Sequence, residues 1–226
     1  MSALDREAGP ASLVAAIPAA LALFTGHRRT AAALALLPVG VAAFFRDPIR
    51  RPDTPEGAAL LAADPDCVVA PADGKVMHAG PAQVGVAPPG AWQQISIFLS
   101  VFDVHINRTP YAGVVTDVTY RPGRWLAAYK FESATENERS EITIEREVEG
   151  RVRRLIFRQI VGLVARRVVT RVVPGQHLVT GERIGLMKFG SRMDIFVPPG
   201  VHLQVKQGDR TIAGETVIAR WPEAKS

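Results

Sequence analysis

The stretch Leu186-Met187-Lys188-Phe189-Gly190-Ser191-Arg192-Met193-Asp194-Ile195-Phe196 sets two apolar, strand-like runs on either side of a Gly-Ser bond. A plain β-hairpin would be the ordinary reading of such a pattern. Glycine has no Cβ, so another group can approach its backbone closely. The serine that follows carries a hydroxyl able to attack the preceding carbonyl. A Gly-Ser pair is common, so the weight of this one depends on the rest of the chain.

Outward from it, short β-prone runs recur between turn signals at residues 68–70, 75–78, 94–99, 114–120, 141–148 and 152–161. The series continues at 164–173, 184–189, 193–197, 201–205 and 216–219. Alternation is plain in Glu141-Ile142-Thr143-Ile144-Glu145-Arg146-Glu147-Val148, and Glu149-Gly150 is a hairpin turn signal before the next run. The expected fold is mainly β, a sandwich or barrel-like assembly over residues 67–226. The turns at Pro174-Gly175, Thr180-Gly181-Glu182 and Gly208-Asp209 through Gly214-Glu215 resemble the spacing of lipoyl-type folds.

The 226 residues, 47% of them hydrophobic, suit one domain with a core plus an extension. The one cysteine, Cys67, excludes an internal disulfide and leads an apolar run, which points to core packing. A net charge of +5 favours an anionic partner. The 27 basic residues are scattered without interleaved aromatics or a nucleic-acid motif, so an acidic membrane fits better than nucleic acid. No metal-ligand cluster has convincing spacing.

The first 45 residues agree with a membrane partner. Residues 12–25 and 30–45 are almost wholly apolar and are separated by Gly26-His27-Arg28-Arg29. As helices they would be roughly 21–24 Å long, short of the roughly 30 Å hydrocarbon core. Pro18 and Pro38 are expected to interrupt them. A helical hairpin over 1–45, dipping into or thinly spanning the bilayer, is expected, with a linker at 46–66 rich in proline and acid. Arg46, Arg50 and Arg51 after the hairpin outweigh Arg28 and Arg29, so the domain that follows is expected on the cytoplasmic side of a cell membrane.

Four further segments give the Gly-Ser bond its meaning. They are Phe44-Phe45-Arg46-Asp47-Pro48, Pro71-Ala72-Asp73-Gly74-Lys75-Val76, Ser100-Val101-Phe102-Asp103-Val104-His105-Ile106-Asn107-Arg108-Thr109-Pro110 and Gln159-Ile160-Val161-Gly162-Leu163-Val164-Ala165-Arg166-Arg167. With the Phe-Gly-Ser element, and in this order, they resemble the shorter bacterial phosphatidylserine decarboxylase proenzymes from about residue 44 to 219. The resemblance implies cleavage between Gly190 and Ser191 and conversion of Ser191 to a covalent pyruvoyl group. That group would form a Schiff base with the amine of phosphatidylserine and release CO2, leaving phosphatidylethanolamine. It would replace pyridoxal phosphate as the electron sink. Chains 1–190 and 191–226 would remain together as a heterodimer.

The same resemblance assigns Asp73, His105 and Ser191 as a relay for self-cleavage, His105 being the base and Asp73 its orienter. Asp103 is the rival orienter, with a plain turn-acceptor role as its alternative. His27, His78, His177 and His202 read as packed or solvated. Larger family members carry Gly-Ser-Thr at the cut, whereas this chain has Gly190-Ser191-Arg192, so no role for that threonine transfers. Arg192, Arg166 and Arg167 are candidates for the lipid phosphate or the substrate carboxylate. Two other functions stand beside this reading. One is decarboxylation of a related serine phospholipid. The other is a membrane-tethered biotinyl- or lipoyl-like carrier module using Lys188.

Overall fold

The computed structural model describes residues 3–163, 167–188 and 190–222. The chain forms two units, Met1–Ile49 and Arg50–Ser226. In the first, strand β1 (Ala3–Leu4) precedes helices α1 (Ala8–Phe24), α2 (Arg28–Leu34) and α3 (Leu36–Phe44). Strand β2 (Arg46–Asp47) then returns antiparallel to β1 and closes the unit. The helices pack as a hairpin whose return arm is broken at Ala35. Pro38 explains the break, because it cannot donate to the Leu34 carbonyl and its ring crowds that oxygen. Pro18 does not interrupt the first arm as expected, since α1 runs through it. Among the described residues no helix is long and apolar enough to cross a membrane. Leu13, Val14, Leu21, Leu23, Leu36 and Val39 are nevertheless exposed on these helices, and Phe24 is 91% exposed.

The second unit begins with a 3-10 turn at Arg51–Asp53 and helix α4 (Pro55–Ala63). Thr54 caps α4 by accepting from the Gly57 amide at 3.1 Å, and Pro55 occupies the first helical position, where no amide hydrogen is needed. This segment falls within residues 46–66, expected to be a linker. From Arg50 onward it belongs to the second unit instead. Asp53 ties it down, accepting from the fully buried Arg108 at 2.8 and 3.0 Å and from Arg183 at 2.6 and 3.0 Å.

The strands that follow are β3 (Cys67–Val69), β4 (Gly74–Pro81), β5 (Gln93–Leu99), β6 (Ile106–Arg108) and β7 (Gly113–Arg121). After the short helix α5 (Ser133–Glu136) come β8 (Arg139–Val148), β9 (Arg151–Ile160), β10 (Val168–Thr170), β11 (His177–Leu178) and β12 (Arg183–Met187). The chain ends through β13 (Ser191–Val197), β14 (His202–Leu203), β15 (Arg210–Thr211) and β16 (Val217–Arg220). Among the described residues strand outweighs helix, 37% against 23%, so the fold is mainly β. Eight strands in the order β11-β7-β8-β9-β13-β5-β4-β15 curl into a half-barrel, and β10-β12-β6 and β14-β16-β3 form two smaller sheets.

The β8–β9 hairpin follows from its turn. Glu149 and Gly150 take φ of 52° and 71°, the pair of positive values a tight two-residue hairpin needs. Strand alternation then sorts the two faces. Ile142, Ile144, Leu155, Phe157, Met193, Ile195 and Val197 enter the main core on one face. On the other, Phe196 and Ile156 pack with Val86 and Ala134. The buried Cys67 also lies among apolar neighbours, Leu61 and Val69, and burial raises its thiol pKa above the ordinary value, which suits packing rather than nucleophilic work.

The registers bring six strands, β7, β8, β9, β13, β5 and β4, level at one end of the half-barrel. Arg121 opposes Arg139, Arg139 opposes Ile160, and Ile160 opposes Arg192. Ser191 opposes Leu99, and Lys75, next to Gly74 at the start of β4, opposes Phe98. The loops leaving β5, β7 and β9 therefore emerge at the end where Ser191 opens β13.

Candidate active site

Ser191 is the first residue of β13, which lies between β5 and β9 and is hydrogen-bonded to both. Its side chain is 0% exposed, and its Oγ has no hydrogen-bond partner among the described residues. A buried hydroxyl without a partner costs free energy, and a catalytic role is one reason a fold keeps one. Gly190 before it sits at φ 66°, in the left-handed region that favours glycine. Its carbonyl, the one the serine would attack, points at Gly162, where a Cβ would lie 1.8 Å from the Gly190 oxygen. Gly162 is thus held to glycine by the Gly190 carbonyl.

His105 reaches this bond from the loop after β5. Its Nδ1 donates to the Asp103 carbonyl at 2.9 Å, because a carbonyl can only accept. Nε2 therefore carries the lone pair, and it accepts from the Gly190 amide at 3.2 Å. The ring is 2% exposed. The neutral imidazole thus has its basic nitrogen on the amide of the residue that carries the scissile carbonyl, and among the described residues no hydrogen bond joins it to the Ser191 hydroxyl.

Asp73 lies in the turn before β4, at the same end of the sheet. Its Oδ1 accepts from the Ala213 amide at 2.8 Å and its Oδ2 from Arg50 at 2.7 Å. Burial raises its pKa above the usual carboxylate value, and the negative Asp103 adds to this, against the lowering by the Ala213 amide and Arg50. Asp103 takes the turn-acceptor role, its Oδ2 accepting from the Ser100 amide at 2.8 Å and the Ser100 hydroxyl at 2.7 Å. Its Oδ1 accepts from Arg210 at 2.6 Å. Asp103 thus orients His105 through its backbone carbonyl, while its carboxylate holds the loop.

Arg192 is not at the site. Successive residues of a strand face opposite ways, so a serine turned inward puts the next residue on the outer face. Arg192 is 3% exposed and donates to Asp194 at 2.6 Å and to the Ser96 hydroxyl at 3.1 Å. That corrects the expectation that it contacts substrate. Arg167 is exposed just before β10, and Arg166 lies outside the described residues. Lys188 joins β12 to β13, which belong to different sheets, whereas a carrier lysine would be expected on a hairpin tip. Of the other histidines, His27, His177 and His202 are exposed, and His78 Nε2 bonds the Pro81 carbonyl at 2.9 Å. Arg50, which holds Asp73, and Gly162 were not singled out by the sequence.

Comparison with known proteins matches the same region. A family model described as phosphatidylserine decarboxylase matches residues 40–219. The chain is 45% identical over 183 residues to a phosphatidylserine decarboxylase proenzyme of Solibacter usitatus, covering 81% of this chain and 79% of that one. It is 45% identical over 190 residues to the proenzyme of Pelobacter propionicus, covering 84% and 80%. Against the proenzyme of Erythrobacter litoralis it is 40% identical over 236 residues, covering 98% of this chain and 89% of the relative.

Proposed function

Because the chain belongs to the phosphatidylserine decarboxylase family, we propose that it is a proenzyme that cleaves itself between Gly190 and Ser191 and then converts phosphatidylserine to phosphatidylethanolamine with release of CO2. The observation that carries this reading is the pairing of His105 Nε2 with the Gly190 amide at 3.2 Å, beside the buried, unbonded Ser191 hydroxyl. The residues present fit a pyruvoyl group made from Ser191, because nucleophile, base and scissile carbonyl meet at one end of the sheet.

Maturation follows from these groups. His105 Nε2 takes the proton of the Ser191 hydroxyl as Oγ attacks the Gly190 carbonyl carbon. The Gly190–Ser191 C–N bond breaks, the amine of Ser191 takes up a proton, and an ester joins the two halves. Loss of the Ser191 α-proton then expels the Gly190 carboxylate and leaves dehydroalanine. Tautomerisation to the imine and addition of water release ammonia and leave the pyruvoyl ketone. No redox partner is required. When formed, that group supplies the electron sink for decarboxylation.

His105 then remains the proton carrier of the site. With Nδ1 fixed on the Asp103 carbonyl, Nε2 is the atom that can deliver a proton to the substrate α-carbon after CO2 leaves. Asp73, held by the Ala213 amide and Arg50 at the same end of the sheet, is the third member of the proposed relay. The two fragments stay associated as a heterodimer because β13 is paired on both edges by residues of the larger fragment, and β15 and β16 pair with β4 and β3.

The exposed apolar side chains of α1 and α3 supply the membrane attachment, and the hairpin lies in the interface of the cell membrane with the second unit on the cytoplasmic side. An interfacial position suits a 17-residue helix of about 25 Å. The test is to purify the protein and assay conversion of phosphatidylserine in mixed micelles. Ser191→Ala should give an intact, inactive chain. Wild-type protein that turns over the lipid while remaining intact would overturn the proposal.

A further inference from the structure

Exposed apolar side chains cluster on the loops at the end of the half-barrel where Ser191 lies. Phe102 is 84% exposed and Val101 46%, both on the loop that leads from β5 to His105. On the loop after β7, Trp125 is 46% exposed, Tyr129 65% and Phe131 50%. Leu163, next to Gly162, is 66% exposed.

These loops touch the scissile region and each other. A Cβ on Gly162 would meet the Gly190 oxygen at 1.8 Å and the Ala128 Cβ at 3.3 Å, so the loop after β7 and the end of β9 meet beside Gly190. Phe98, the penultimate residue of β5, stacks edge-on against Tyr129 with centroids 6.1 Å apart. Three loops at this end of the half-barrel therefore carry exposed apolar side chains. Soluble surfaces seldom gather so much apolar area in one place without a partner for it.

We infer that this rim is a second membrane-contact surface, separate from the N-terminal helices, that enters the acyl region of an anionic bilayer and leaves the Gly190–Ser191 site at headgroup depth. The inference rests on the phospholipid substrate proposed above. A headgroup must reach a serine that is 0% exposed, while its acyl chains stay out of water. Apolar loops at this end of the half-barrel meet both needs. Trp and Tyr favour the membrane interface, where ring and polar tip are both satisfied. Lys130 and Arg167 are exposed on the same loops, and their charge suits the negative surface of a phosphatidylserine-containing leaflet. A protein bound here would stand between the lipid and this end of the half-barrel.

The test uses the full chain with vesicles of phosphatidylserine and a phosphatidylcholine brominated on its acyl chains. Tryptophan emission should fall on brominated vesicles relative to plain ones, and most of that difference should vanish in Trp125→Phe. Phe131→Ser combined with Leu163→Ser should raise the apparent KM on vesicles about 100-fold, the scale expected for losing two apolar side chains from lipid. Wild-type protein that decarboxylates vesicle lipid but shows the same Trp125 emission on both vesicle types overturns the rim and leaves the enzyme assignment intact. Failure to bind such vesicles also overturns the rim. Absence of any decarboxylation in micelles or vesicles would instead contradict the enzymatic reading, whatever Trp125 reports.

Discussion

The Gly190 carbonyl oxygen fills the place where a side chain of residue 162 would stand, with only 1.8 Å between it and a Cβ built on Gly162. No real Cβ tolerates that distance from a backbone oxygen, so Gly162→Ala must displace the Gly190 carbonyl or the end of β9. Displacing reacting atoms by about 1 Å costs on the order of 100-fold in rate. Gly162→Ala should therefore fold and yet mature about 100-fold more slowly, followed as fragment formation on gels. Maturation at the wild-type rate would remove Gly162 from the account of the site.

His105→Ala should block or greatly slow fragment formation, because Ser191 needs a proton acceptor to become a nucleophile. His78→Ala, His177→Ala and His202→Ala should process normally. A time course of cleavage for the four variants decides whether the imidazole beside Gly190 is the base.

Asp73 gives a pH signature with a definite sign. Burial, with Asp103, raises its folded pKa, so the native chain holds this proton above the unfolded value of about 3.9. Its contribution to stability is fully present below that value and is lost as pH rises through the folded pKa. Relative to wild type, Asp73→Asn should therefore gain stability as pH rises through this window, read from urea melts at a series of pH values. The same variant should slow self-cleavage.

The Asp53 cluster predicts the opposite behaviour. Burial alone would raise the Asp53 pKa, but bonds from Arg108 and the Arg50 amide, with the charges of Arg108 and Arg183, hold it below the usual value. Its contribution is present above the unfolded pKa of about 3.9 and is lost as pH falls through the folded one. Asp53→Ala leaves Arg108, 2% exposed, without its carboxylate. Breaking such a buried pair costs about 3–5 kcal/mol, to be measured by chemical denaturation near neutral pH.

Much of this was legible in local pattern. The alternation over 141–148 and the Glu149-Gly150 turn gave the β8–β9 hairpin because side-chain period and turn conformation are local properties. Ser191 and His105 could be nominated because they fall within recognisable motifs, and the structure places His105 against Gly190. Arg192 was misread although the signal was present, since a residue next to an inward-facing serine on a strand faces outward. Pro18 was misread because an apolar helix can continue past one missing hydrogen bond. The hold of Arg50 on Asp73 and of Asp53 on Arg108 could not be read, because these ion pairs join residues 23 and 55 positions apart. Nothing local marks such partners.

The central claim is that the Gly190–Ser191 bond is opened by its own serine, and the mass of the purified protein tests it most directly. The account predicts two chains from the wild type, residues 1–190 and a 191–226 fragment whose first residue is a pyruvoyl group without a free amine, and one intact chain from Ser191→Ala. An intact wild-type chain with full decarboxylase activity, or a C-terminal fragment beginning with an unmodified serine, would contradict it.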